Sequence, residues 1–367
     1  MPFLTKQGMK RKAPRCAAFL FLSLSLFFAA SYAAAETGAP VFKDPDEAIK
    51  YYSAEIAKNP ENGAAFRERG LAWLKKKDEG KALSDFDMAV NINPRDFTAL
   101  ANRGVIWTIR GFTDKAIPDF DRAIWMSGGA LAEIYYDRGL LWGDINQFDK
   151  AMEDFNRALA LNPELGGAYL FRGRIFLEDD HIDKALNDFT ACVKYTPKDA
   201  RGYFYKGLAL DKKGDLNSAL ADLNKAIELD GKKDSYFYHR GDIIAKMGDY
   251  KKALSDMDKA IELNRDSLKA FFRRGTIQAA LGRHDYALGD YNMALSILTM
   301  ARNLSSSMMQ TFLKTNEWIP DAFYNRAISY RAKGRKKEAL DDARRADFLK
   351  PNQSQMKALI ETLEKEQ

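Results

Sequence analysis

An arginine–glycine pair returns along this chain at a nearly constant distance. It stands at Arg69-Gly70, Arg103-Gly104, Arg138-Gly139, Arg172-Gly173, Arg240-Gly241 and Arg274-Gly275, with Lys206-Gly207 in the fifth place. Successive glycines are 34, 35, 34, 34, 34 and 34 residues apart. An eighth unit, marked by Arg326-Ala327, follows after 52 residues, one period plus an insertion of 18. A unit of this length cannot bury its apolar faces alone. The chain must therefore fold as a stack of copies, each packed on its neighbours, and not around one central core.

Each unit carries a second set of markers. Twelve residues after the glycine comes alanine: Ala82, Ala116, Ala151, Ala185, Ala219, Ala253, Ala287 and Ala339. Four further on the side chain is large (Phe86, Phe120, Phe155, Phe189, Leu223, Met257, Tyr291), except at Ala343. Three beyond that it is small again: Ala89, Ala123, Ala158, Cys192, Ala226, Ala260, Ala294 and Ala346. Steps of four and three place these residues on one helical stripe. Glycines at 111, 214, 248, 282 and 334 break the units in the middle, and Pro94, Pro163, Pro197 and Pro351 close several of them. That punctuation predicts two antiparallel helices per unit.

The spaced aromatic, glycine, alanine, large residue, alanine and proline resemble the tetratricopeptide repeat family, in eight copies over residues 62–351. The resemblance implies an all-α chain, a right-handed α-solenoid of about eight helix-turn-helix repeats. Residues 36–61 then form an N-terminal half-repeat, and residues 352–367 a C-terminal capping helix. One departure is regular. The residue before the glycine is basic in all eight units, and an aspartate recurs on the second helix at 85, 119, 154, 188, 222, 256, 290 and 342. Antiparallel geometry brings each aspartate near the basic residue of its own unit or of the next. A ladder of ion pairs setting repeat register is preferred to a charged ligand track, because the recurrence follows the packing period.

The resemblance also implies that a peptide or protein segment binds in the concave groove lined by the first helices. The place three before the glycine is expected to face that groove. It holds Arg67, Ala101, Tyr136, Leu170, Phe204, Tyr238, Phe272 and Tyr324, and the last four are all aromatic. The competing reading of this row is packing between neighbouring first helices. Lys269 and Arg273 match the basic pair of the family's carboxylate clamp. His239, Phe204 and Leu208 stand where its other members belong, so the clamp is incomplete and a weak anion site remains. The expected groove residues are Tyr136, Phe204, Tyr238, Phe272, Tyr324, Lys269 and Arg273. The insertion, at about residues 301–320, carries Ser305, Ser306 and Ser307 as candidate helix caps, followed by Met308, Met309, Phe312, Leu313 and Trp318. It reads either as an elbow packed on the adjacent repeat or as a partner-binding segment.

Charge is uneven. Of 57 Lys and Arg, five lie in the first 35 residues, which hold no acid; beyond them 52 basic residues face 51 acidic ones. A nearly neutral chain of repeats gives no basis for nucleic-acid binding. Residues 1–15 are basic, 16–35 are apolar, and Ala33-Ala34-Ala35 precede Glu36, the order of a secretory signal cleaved after Ala35. The alternative is an uncleaved membrane anchor. After cleavage Cys192 is the one cysteine left, so no intramolecular disulfide forms. His181, His239 and His284 have no acid or cysteine at a paired spacing, and no phosphate loop or hydrolase elbow occurs. The chain is thus expected to be a non-catalytic exported scaffold, periplasmic, without metal or cofactor, serving envelope assembly or secretion. The alternatives are a glycan- or peptidoglycan-binding adaptor, or a non-catalytic subunit of an envelope enzyme.

Overall fold

The computed structural model of the chain describes Pro40, residues 42–296, Leu298, Met308, Phe312, Leu313 and residues 316–366. The leader, Ser305–Ser307 and Met309 lie outside the described residues. Among those described there are eighteen helices and no strand, in agreement with the all-α expectation.

They fall into two compact units. The first, ending at Thr196, opens with a lone helix α1 (Pro45–Lys58) and continues as four pairs. These are α2 (Gly63–Lys75) with α3 (Glu79–Ile92), α4 (Phe97–Ile109) with α5 (Thr113–Met126), α6 (Ala132–Asp144) with α7 (Phe148–Leu161), and α8 (Gly166–Glu178) with α9 (Ile182–Tyr195). The second unit, from Pro197, holds α10 (Ala200–Lys213) with α11 (Leu216–Leu229), α12 (Asp234–Lys246) with α13 (Tyr250–Leu263), α14 (Leu268–Ala280) with α15 (His284–Leu295), and α16 (Ile319–Ala332) with α17 (Lys336–Leu349). It closes with α18 (Ser354–Lys365), which buries Met356, Leu359 and Leu363.

Several first helices start on an acidic or amide side chain that accepts a backbone N–H, such as Asn62 from Ala65 and Asp96 from Ala99. Every turn within a pair passes through positive φ at one equivalent place. Glycine holds it five times (111, 214, 248, 282, 334); Lys77, Asn146 and Asp180 hold it at φ of 61–62°. Glycine adopts that conformation without the Cβ clash that other residues pay.

The pairs close on the repeat glycine. A Cβ placed on Gly173 would meet the Phe189 ring at 2.8 Å, and on Gly139 the Phe155 ring at 2.8 Å. The marker alanines and the large residue between them are fully buried throughout. The eighth pair carries both departures together: alanine replaces glycine at Ala327, and Ala343 replaces the ring opposite, with both fully buried. The methyl group gained on one helix takes space given up on the other.

The charged ladder pairs within repeats. Arg172 Nε and Nη2 donate to Asp188 Oδ2 and Oδ1 at 2.8 and 2.7 Å, and the same fork recurs at Arg69–Asp85, Arg103–Asp119, Arg138–Asp154, Arg240–Asp256, Arg274–Asp290 and Arg326–Asp342. The remaining Nη1 reaches the second helix before it: Arg103 to Asp87, Arg138 to Asp121, Arg172 to Asn156, Arg274 to Asp258 and Arg326 to Asn292. Arg69 uses Ser53 of α1 in the same way. In six repeats the guanidinium also lies over the ring three residues earlier, as Arg172 over Tyr169 at 5.5 Å. Fork, free edge and flat face are all used, which explains the preference for Arg over Lys. The bidentate bond to Asp119 holds the Arg103 guanidinium above its usual range. Lys206 forms a simpler rung, with Nζ 3.0 Å from Asp222.

Candidate functional site

The aromatic row divides into buried and half-buried members. Tyr136 is buried between the rings of Phe155 and Phe171, each with centroids 6.2 Å away. Its hydroxyl would clash with any Cβ on Gly167, so the two first helices are in close contact there. Leu170 and Ala101 are buried as well, and Arg67 is buried against Asp96, the cap of α4, at 2.9 Å. Phe204 is buried on Tyr236, with centroids 4.6 Å apart, and beside His239 at 5.5 Å. For Tyr136 and Phe204 the expectation of groove exposure is therefore corrected. Neighbouring first helices approach so closely that this place fills the gap between them. Tyr238, Phe272 and Tyr324 remain half-buried.

Around them the second unit carries a chain of charges that links three first helices. Lys246 on α12 donates to both carboxylate oxygens of Asp211 on α10, at 2.8 Å each, and pairs with Asp242 at 3.1 Å. Asp242 in turn pairs with Arg273 Nε on α14. Lys269, one turn before Arg273, is exposed and forms no ion pair among the described residues. The two aspartates thus offset Lys246 and Arg273 and leave one positive charge. Between the chain and the rings sits His239, whose imidazole is pushed down to about 4 by burial. Burial pushes the Tyr238 hydroxyl up to about 12, with the charge of Asp242 adding to it. The sequence reading found Lys269 and Arg273 but missed Asp211, Asp242 and Lys246. Their signal was faint: Asp211 and Lys246 are 35 residues apart, one repeat plus one.

The insertion has one structural role on view. Leu298, Phe312, Leu313 and Trp318 pack on the cluster of Leu295, Ile319, Ala322, Phe323, Ala346 and Met356. Trp318 stacks on Phe272, with centroids 5.6 Å apart and planes 28° from parallel.

No group of three His, Cys, Asp or Glu able to hold a metal ion occurs among the described residues. Cys192 is buried, 3.5 Å from the Thr196 hydroxyl. His284 Nδ1 stands 3.4 Å from Ser329 Oγ, a long contact with a fully buried hydroxyl.

The tetratricopeptide repeat family profile matches residues 132–165, and a second profile of the same description matches 43–97, 172–234 and 238–301. Together they take in more than half of the chain, which belongs to the tetratricopeptide repeat family. Such repeats form protein-interaction scaffolds, and this chain is one of that class. No curated protein sequence matches it. Among solved structures it is similar to a chain of the APC/C hetero-tetramer Cut9–Hcn1, at 14% identity and TM-score 0.56, covering 86% of this chain and 58% of that one. It is also similar to PilF of Pseudomonas aeruginosa, at 17% identity and TM-score 0.51, covering 60% of this chain and 100% of that one. A third is a tetratricopeptide repeat protein of Parabacteroides merdae, at 21% identity and TM-score 0.50, covering 69% and 98%. At these identities the likeness concerns the fold alone.

Proposed function

We propose that the chain is a non-catalytic, exported scaffold that takes a peptide or protein segment along the first-helix face of residues 197–366. The observation that carries this reading is the exposed Lys269, without an ion pair among the described residues and three residues from Phe272 on α14, in the stretch of first helices that carries the half-buried rings Tyr238, Phe272 and Tyr324. Rings supply contact area at small entropic cost, and a cation without an internal partner attracts an acidic group on the ligand. The charge favours a peptide over a neutral glycan. Export rests on the order of basic, apolar and small residues in the leader; among the described residues no helix is long and apolar enough to cross a membrane.

The test is affinity recovery with the mature protein from an envelope extract of its own cells. Lys269→Glu, at an exposed site, is expected to lose a partner that the unaltered chain recovers, with circular dichroism and melting unchanged. Full recovery by both Lys269→Glu and a folded Tyr238→Ala would place binding elsewhere.

A further inference from the structure

Phe272 differs from the buried members of its row in what covers it. Over Tyr136 the cover is Phe171, and over Phe204 it is Tyr236 and His239, all from the following first helix. The residues of α16 that correspond to Tyr236 and His239 are Ala322 and Asn325, neither of them aromatic. The cover comes instead from Trp318, the residue just before α16, at the end of the insertion. The floor beneath is completed by Tyr291, whose ring lies 6.2 Å from Phe272. The docked indole is imperfectly satisfied: Trp318 Nε1 is buried and has no hydrogen-bond partner among the described residues. A buried donor without an acceptor costs free energy, so the indole is held less firmly than its ring contact alone would give.

We infer that Phe272 is the floor of an anchor site for one aromatic side chain of the partner, and that Trp318 fills this site in cis until the partner ring displaces it. This rests on the reading of the first-helix face as the docking surface. The chain's own side chain shows what the site accepts, a flat ring stacked on Phe272. The charge beside it defines the rest of the ligand. Lys269, the charge left over by the two aspartates, lies three residues before Phe272 on α14 and so on the same side of the helix; the segment that fits therefore carries a carboxylate next to its aromatic residue. Displacement frees the Trp318 N–H to bond water and leaves the partner ring in the same stack.

The test uses the full chain labelled with fluorotryptophan, the Trp318 signal being assigned by its loss in Trp318→Phe. The probe is the capped dipeptide acetyl-Asp-Trp-amide, followed by fluorine NMR. The expected result is that the Trp318 signal alone moves to its solvent-exposed position as the probe saturates, and that Trp318→Ala binds the probe about tenfold more tightly. Trp318→Phe keeps a ring over Phe272 and removes the unpaired donor, so it is expected to bind the probe more weakly than the unaltered chain. A Trp318 signal that stays in place at saturating probe overturns the inference, even if Trp318→Ala gains affinity through its cavity. Should Trp318→Ala fail to fold, equal binding by Trp318→Phe and the unaltered chain overturns it. If Lys269→Glu loses the recovered partner while Trp318 does not move, the docking surface stands and the anchor site falls.

Discussion

Arg240 holds Asp256 of its own repeat with two bonds, at 2.8 and 2.6 Å, and with its third nitrogen reaches Asn224 of the repeat before, at 3.0 Å. One guanidinium thus joins three helices, two within a repeat and one across the junction. The carboxylate partner is buried, while the junction partner is exposed. The two kinds of bond are therefore expected to differ in weight.

At the equivalent rung of the first unit, Asp188→Ala strands a largely buried cation. It is expected to cost about 3 kcal/mol. Asn156→Ala removes one exposed acceptor and is expected to cost about 0.5–1 kcal/mol. Urea unfolding of both variants measures the difference; equal losses would show that the junction bond weighs as much as the fork.

Gly173→Ala drives a methyl group into the Phe189 ring and is expected to destabilise by about 1–3 kcal/mol. The eighth repeat shows the compensated arrangement, Ala327 opposite Ala343. Phe189→Ala should therefore cost less on the Gly173→Ala background than alone, with a coupling of at least about 0.5 kcal/mol in a double-mutant cycle.

Lys77 holds a left-handed turn position that glycine holds in five other repeats. Lys77→Gly relieves the Cβ strain and gives back part of the gain as unfolded-chain entropy. A rise of about 0.5–1 kcal/mol is expected, read from the denaturation midpoint.

His239 gives a pH dependence of fixed sign. Its folded value, about 4, lies below the ordinary 6.5, so the unfolded chain binds the proton more readily. Its contribution is complete above pH 6.5 and is lost as pH falls from there toward 4, by at most about 3 kcal/mol. Melting curves from pH 7 to 4.5 should show a shallower decline for His239→Phe; an unchanged slope would mean that the imidazole is well hydrated.

For the leader, the expected result is a mature N-terminus at Glu36. Intact-protein mass spectrometry of exported material reads it directly, and a membrane-held full-length chain would contradict cleavage.

The period was enough to read the helix pairs and the buried alanine stripes, because each marker recurs at a fixed step and packing within a pair depends on little else. The ladder residues were legible too, but whether each aspartate meets the cation of its own repeat or the next depends on how the helices cross. The row at Tyr136 and Phe204 was misjudged for a related reason. A side chain between two parallel first helices and one facing outward have the same sequence position; the distance between the helices decides, and small residues such as Gly167 set it. The stack of Trp318 on Phe272 had no periodic signal at all, since the insertion lies outside the repeat.

The backward reach of the arginines gives the array a direction. Each ladder arginine that spans a junction finds its acceptor there on a helix made earlier in synthesis: Arg103 on Asp87, Arg274 on Asp258, Arg326 on Asn292. A repeat added at the growing end meets a finished surface that already carries its partner. Removing repeats from the C-terminal end strips no remaining ladder arginine of its acceptor, whereas removing α1 takes Ser53 from Arg69. Shortened chains should therefore tolerate loss at the C-terminal end better than at the N-terminal one, and a chain leaving the ribosome or a membrane pore N-terminus first can complete its bonding one repeat at a time.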